Sequence, residues 1–259
     1  VQEFLSIIIP HIQHSNVLHI SPVHFLKMMK ACRHFYCSHR IVQEFFDAIC
    51  DNMIKSRGLV RVVVGEPISA ELLPDTIAEA FLSFQNLKLS TPSVRRLVKS
   101  MIYILKPDIA RPGAHKEFLP SHIACILYGC KSILEPTMGG ADIVREELLR
   151  DIVVPIVENY VNSTSGKEDM GPKSLDGYRY LGMAMCGLQN VSNMYKGCDD
   201  SEYVVNPVSS KLFDLMTVLI DRENNRFRKV MKTGSNFKLN GQAANSLLIG
   251  TRNFRIVDD

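Results

Sequence analysis

Apolar side chains recur at helical spacing along most of this chain, and the runs begin in the same way. One run reads LPDTIAEAFLSFQNL from Leu73 and another LPSHIACILYGCKSI from Leu119. In the first, Ile77, Ala78, Phe81, Leu82 and Phe84 share one side of a helix; in the second, Ile123, Ala124, Ile126, Leu127 and Cys130 do so. That period predicts amphipathic helices, not strands. Looser copies start at Ser21 (SPVHFLKMMKACRHF) and at Leu239 (LNGQAANSLLIGTRNF). The prolines Pro22, Pro74 and Pro120 mark helix starts, because a first-turn residue has no intrahelical use for its N–H.

Each run is followed by a second amphipathic stretch. The partner of the first copy runs from His39 to Ile54, and the second opens at Ser90-Thr91-Pro92-Ser93 and continues VRRLVKSMIYIL. The third runs from Gly139 to Val161, where Pro155 is expected to kink or divide the helix. A fourth pair spans Tyr178–Val191 and Pro207 to about Asp221, and the fifth copy holds only a first helix. A helix pair cannot bury both apolar faces alone, and stacking on the next pair does so. The predicted fold is all-α: a single repeat domain over residues 1–259, a right-handed α-solenoid of four to five helical hairpins, with units starting near residues 21, 73, 119, 175 and 239. The intervals are unequal, so loops are inserted; Asn162–Lys173 and Met231–Lys238 are the clearest. The β-branched segment Leu59–Val64 is the one place expected to be a short strand or an extended linker.

Composition adds limits. Apolar residues make up 46% and charged residues 22%, enough for a core, and the net charge of +3 is too small by itself to mark a nucleic-acid binder. Seven cysteines without a CxxC pair, set in apolar runs, predict buried thiols and a reducing compartment. No apolar stretch is long enough to span a bilayer. No signal-peptide pattern opens the chain, and its first residue is Val, so either a targeting segment has been removed or the chain is a fragment.

Candidate chemistry is sparse. His24, Cys32, His34, Cys37 and His39 are metal-ligand types, but their spacing matches no zinc finger and Cys32 falls on the apolar face. His11, His14 and His19 are read as scattered, sharing no helical face. There is no G-x-S-x-G, Walker loop or G-x-G-x-x-G, and Glu146-Glu147 point in different directions on one helix. The expectation is a protein without catalytic residues, cofactor or metal. Gly182 and Gly187 are read as sites of close helix packing, and Gly139-Gly140 as a turn.

Basic residues are the remaining candidates. Lys27, Lys30 and Arg33 follow one another at helical spacing in the first unit, and Arg95, Arg96 and Lys99 in the second. A denser run, Arg222, Arg226, Arg228, Lys229 and Lys232, follows the fourth unit. Taken singly, each is an ordinary solvated group; a continuous basic stripe would track a phosphate backbone. Lys30, Arg33, Arg95, Arg96, Lys99, Arg226 and Lys229 are the expected contacts to RNA or to a protein partner. Glu66, Glu71, Asp75 and Glu79 dilute the field around them.

The phrase carried by Leu73, Pro74, Ile77, Ala78 and Phe81, and again by Leu119, Pro120, Ile123, Ala124 and Leu127, resembles the octotricopeptide and heptatricopeptide repeats and the repeat region of FAST-kinase-like proteins. A weaker match lies at Leu239, Ala243, Ala244 and Leu247. That resemblance implies an organellar α-solenoid acting in RNA processing, RNA editing or ribosome assembly. Its partners would be RNA, single-stranded or ribosomal, and the protein subunits of a larger complex in the mitochondrial matrix. The chain departs from those repeats in having longer, unequal intervals and no tryptophan. Such divergence suits a subunit fixed in one assembly. The alternative is a protein-binding scaffold without RNA contact.

Overall fold

The computed structural model describes residues 2–14, 20–63, 72–110, 118–134, 142–163, 177–192 and 207–232. Every element among them is helical: α1 (Gln2–His14), α2 (Pro22–Ala31), α3 (Arg40–Val63), α4 (Pro74–Leu82), α5 (Pro92–Ile109), α6 (Pro120–Gly129), α7 (Ile143–Leu148), α8 (Val154–Ser163), α9 (Gly177–Ser192) and α10 (Pro207–Lys232). Short 3-10 turns, Cys32–His34 and Ser83–Asn86, close α2 and α4.

The starts follow the sequence logic. Pro22, Pro74, Pro92 and Pro120 each occupy a first-turn position. The Ser21 hydroxyl caps α2 by accepting from the His24 N–H at 3.2 Å. Leu73 and Leu119 stand just outside α4 and α6 and are well exposed, so in the recurring phrase the leucine is not a core residue. The apolar positions that follow are: Ile77, Ala78, Phe81, Ile123, Ala124 and Leu127 are all buried. Removing Phe81 completely from water contributes on the order of 2–3 kcal/mol.

The helices lie in two rows. In one, α4 packs on α2, α6 on α4, and α9 on α6; in the other, α3 packs on α1, α5 on α3, α7 and the turn after it on α5, and α10 on α8. A continuous apolar core joins the rows, with Phe25, Phe46, Ile49, Phe81, Leu97 and Leu127 fully buried.

Small residues set how closely the first row packs. Counting from the prolines, Ala31, Ser83 and Gly129 occupy one position, and Gly187 stands there in α9. A Cβ on Gly129 would lie 2.0 Å from the Phe81 carbonyl oxygen, and one on Gly187 2.1 Å from that of Leu127. Gly187 is therefore a close-packing glycine, as the sequence suggests; Gly182 is buried.

Several expectations change. Leu59–Val63 continue α3 and are neither strand nor linker. β-Branched residues cost only tenths of a kcal/mol in a helix, less than the gain from extending one already nucleated. The helix pair member expected to end near Asp221 runs to Lys232, so the basic run belongs to α10 itself. Gln2–His14 form a helix that no starting proline announces. On it His11 and His14 are exposed one turn apart, so these two do share a face. Pro155 sits at the second position of α8, directly after a π-turn at Leu149–Val153 in which the Val154 N–H reaches the Leu149 carbonyl. The helical run therefore continues past Pro155, with the π-turn just before it, where a break or kink was expected. Val64, Glu66, Glu71, Gly139-Gly140, His19, Cys198, the copy at Leu239 and most of both inserted loops lie outside the described residues.

Candidate functional surface

The basic residues singled out above meet different fates. Lys30 on α2 reaches Glu79 on α4 at 2.6 Å. Arg95 on α5 holds Asp142, the residue before α7, with two bonds of 3.1 and 2.6 Å. Asp142 is almost wholly buried and also caps α7, accepting from the Val144 N–H at 3.0 Å. Arg96 donates to Asp51 and lies 3.5 Å from Asp47 on α3; the hydrogen bond to Asp51 raises its pKa further above the ordinary arginine value. Arg33 and Lys99 are exposed. Lys229 is exposed on α10, and the Arg226 side chain lies outside the described residues.

Three of the seven are thus tied between successive units, and they belong to a wider pattern. In the second row α3 offers Asp47 and Asp51, α5 offers Arg95, Arg96 and Lys106, and the helices after it offer Asp142, Asp151 and Glu158. Lys211 of α10 answers Glu158 at 2.8 Å, and Lys106 answers Asp151 at 2.9 Å. Ser93 adds a 2.8 Å bond to Asp47, and Arg222 donates to the Val161 carbonyl at 3.0 Å. In the first row Asp75 meets the His122 ring at 2.6 Å, while the other ring nitrogen of His122 accepts from the Leu119 N–H at 3.1 Å. Acidic and basic helices alternate, and each basic helix is held to its acidic neighbours. Exposed pairs contribute about 0–1 kcal/mol each, so they select the register of stacking more than they stabilise it.

The histidine and cysteine cluster of the first unit separates. Cys32 is buried in the core, where burial pushes its thiol up to about 12, while His24, His34 and His39 are exposed. Cys37 is half-buried and accepts a 3.8 Å contact from the Thr91 hydroxyl. Among the described residues no group of three His, Cys, Asp or Glu stands where a metal ion could be held, and no helix is long and apolar enough to cross a membrane.

Two features escaped the sequence reading. Arg145 of α7 is buried, its Nε and Nη1 meet no acceptor among the described residues, and burial lowers its pKa. Its spacing from Leu148, Leu149 and Ile152 already placed it on the apolar stripe. Tyr36, in the turn between the 3-10 segment and α3, is 65% exposed, and its sequence neighbours Arg33, His34, His39 and Arg40 are exposed too. The signal was the run RHFYCSHR, which mixes aromatic and basic residues without a carboxylate. No protein-family model matches this chain, and neither a curated protein nor a solved structure matches it.

Proposed function

We propose that this chain is a non-enzymatic helical-repeat subunit of an organellar ribonucleoprotein complex, in the mitochondrial matrix, contacting RNA and neighbouring proteins in RNA processing, RNA editing or ribosome assembly. The architecture in this reading is a right-handed α-solenoid of four to five hairpins. The observation that carries it is unit-on-unit packing with a recurring framework: prolines at the helix starts and small residues where each unit meets the last. The polar positions outside that framework vary from unit to unit, which suits an extended binding surface. The resemblance of the framework residues to organellar RNA-binding repeats supplies the RNA and the compartment. Binding of single-stranded RNA, measured by filter retention at several salt concentrations, tests it. Affinity that falls with salt supports it, because released counterions accompany phosphate contacts; absence of any such binding removes direct RNA contact.

The second reading is a scaffold that binds proteins alone, and the pairing of Lys30, Arg95 and Arg96 favours it, since cations already neutralised attract phosphate weakly. Exposed Phe4 and Ile7 on the outer side of α1 favour it too. Lys99→Ala separates the readings better than changes at Arg95 or Arg96, whose loss disturbs the stacking itself.

A further inference from the structure

The turns joining the two rows have a shared construction. After each 3-10 segment one apolar residue in extended conformation anchors the turn, and its N–H bonds the carbonyl three residues back: Phe35 to Cys32 and Leu87 to Phe84, both at 2.9 Å. Leu87 is fully buried, and Phe35 packs edge-on against Phe45 with ring centroids 6.2 Å apart. A second turn follows, closed by His39 N–H to the Tyr36 carbonyl at 3.2 Å and Thr91 N–H to the Lys88 carbonyl at 3.1 Å. Gln43 braces the first from α3 with a 2.7 Å bond to the Cys37 carbonyl. The residue directly after each anchor points outward: Tyr36 in the first turn, Lys88 in the second. The two 3-10 segments pack on one another, so these turns form one continuous edge.

Within the two sequence stretches that build that edge, the charge is of one sign. No Asp or Glu occurs between Ala31 and Gln43, or between Ala80 and Pro107. The carboxylates next to it are engaged: Glu44 by Arg40, Asp47 by Arg96, Asp142 by Arg95. The edge presents exposed Arg33 and Lys88 with His34 and His39, beside Arg40 in its pair with Glu44, and leads into the positive N-terminal ends of α3 and α5. A large aromatic ring held in water by a braced turn, with exposed cations in its own turn and the next, is the combination that holds single-stranded nucleic acid: bases stack on the ring while phosphates meet the cations. In the third unit the position of Tyr36 is filled by buried Leu134, so the platform belongs to the first two units.

We propose that the paired turns of the first two units bind single-stranded RNA, with a base stacked on Tyr36 and the flanking phosphates held by Arg33 and Lys88. This rests on the ribonucleoprotein reading above and names the surface it uses. The test is fluorescence anisotropy of the full chain with a fluorescein-labelled oligouridine, across a range of salt. Tyr36→Ala is expected to weaken binding roughly five- to hundredfold, from about 1–3 kcal/mol of stacking per base. Tyr36→Phe keeps the ring and should bind like the parent. Arg33→Ala is expected to lower the slope of log affinity against log salt by about one. Tyr36 is exposed, so its circular dichroism melt should match the parent; if it does not, Arg33→Ala and Lys88→Ala decide the matter. Unchanged affinity in these variants, with a loss in Lys99→Ala, overturns this surface while leaving the ribonucleoprotein reading intact. No oligonucleotide binding by the parent overturns both. Equal binding of polyglutamate through the same residues also overturns the proposal, making the edge a site for acidic protein segments.

Discussion

Gly129→Ala is the sharpest test of how the units stack. The added Cβ would stand 2.0 Å from the Phe81 carbonyl oxygen and 2.9 Å from the Leu82 nitrogen, whereas ordinary contact begins at 3.4 Å. The obstructing atoms are backbone, so no rotamer change relieves the clash. The last turn of α6 must instead lift from α4, opening a gap across one of the tightest contacts in the first row. Overpacking of this kind costs about 1–3 kcal/mol and sometimes more, and a gap of an ångström forfeits up to about half of the dispersion energy along it. Alanine's better helix propensity returns at most about 1 kcal/mol, less at a helix end. The net expectation is a loss of about 2 kcal/mol. With an m-value near 3 kcal/mol/M, the urea midpoint should fall by roughly 0.7 M. Ser83 occupies the same position one unit earlier and already carries a Cβ, with its hydroxyl bonded to the Ala80 carbonyl at 2.5 Å. Ser83→Ala should therefore cost no more than about 1 kcal/mol. A Gly129→Ala midpoint at or above that of the parent would refute the close approach of α6 to α4.

Three further outcomes are expected. Arg95→Ala leaves the buried Asp142 carboxylate with only its capping N–H. Discounted for the half-exposed guanidinium, the loss should be about 1–3 kcal/mol, read by urea denaturation, and Asp142→Asn in the same background should recover part of it. The hydrogen bond from Arg150, with Lys106 beyond it, holds the Asp151 carboxyl below its ordinary value. Because the folded pKa is the lower one, the stability it contributes is present above the unfolded value of about 3.9 and lost as pH falls through the folded value. Asp151→Asn should therefore lower the melting temperature at neutral pH and flatten its fall on the acid side. Burial pushes the Cys32 and Cys50 thiols up to about 12 and 11 and raises that of Cys130. Alkylation of the folded chain at mildly alkaline pH, mapped by mass spectrometry, should label half-buried Cys37 and Cys125 before those three.

What could be read beforehand was local. Pro74 and Pro120 announce helix starts because the chemistry of a first turn needs only one residue, and Ile77, Ala78, Phe81 and Phe84 announce a buried face because the spacing repeats over two turns. The extension of α3 through Leu59–Val63 was hidden, since Val and Ile favour strands by propensity yet follow whatever a preceding helix imposes. The ion pairs were hidden for another reason: Arg96 and Asp51 lie in different units, and nothing in either stretch alone reveals the register. The same ambiguity covered the candidate surface. Phe35-Tyr36 is a pair of adjacent aromatic residues, either of which could be the anchor. Only the equivalent pair Leu87-Lys88, with an apolar residue first, shows which one turns inward.

The distribution of charge matters more here than its sum. A net charge of +3 looks indifferent to polyanions. Yet Asp47 and Asp51 of α3, Asp142 and Glu158 of α8 are spent within the second row, against cations one helix away. Each such pair is locally neutral and leaves almost no field beyond a Debye length of about 8 Å. Cations then set the field wherever acidic residues are lacking in the sequence, and the stretches from Ala31 to Gln43 and from Ala80 to Pro107, which build the turn edge, hold no Asp or Glu. Arginines that look most like a phosphate-binding stripe in the sequence, Arg95 and Arg96, serve to set the stacking. By neutralising Asp142, Asp47 and Asp51 they keep acidic field away from the turns beside them. A stripe used for register and an edge left positive are two consequences of one charge arrangement. If the edge holds RNA as proposed, substitution at Arg95 or Arg96 should weaken that binding indirectly, by releasing carboxylates next to the edge, and the loss should be largest at low salt.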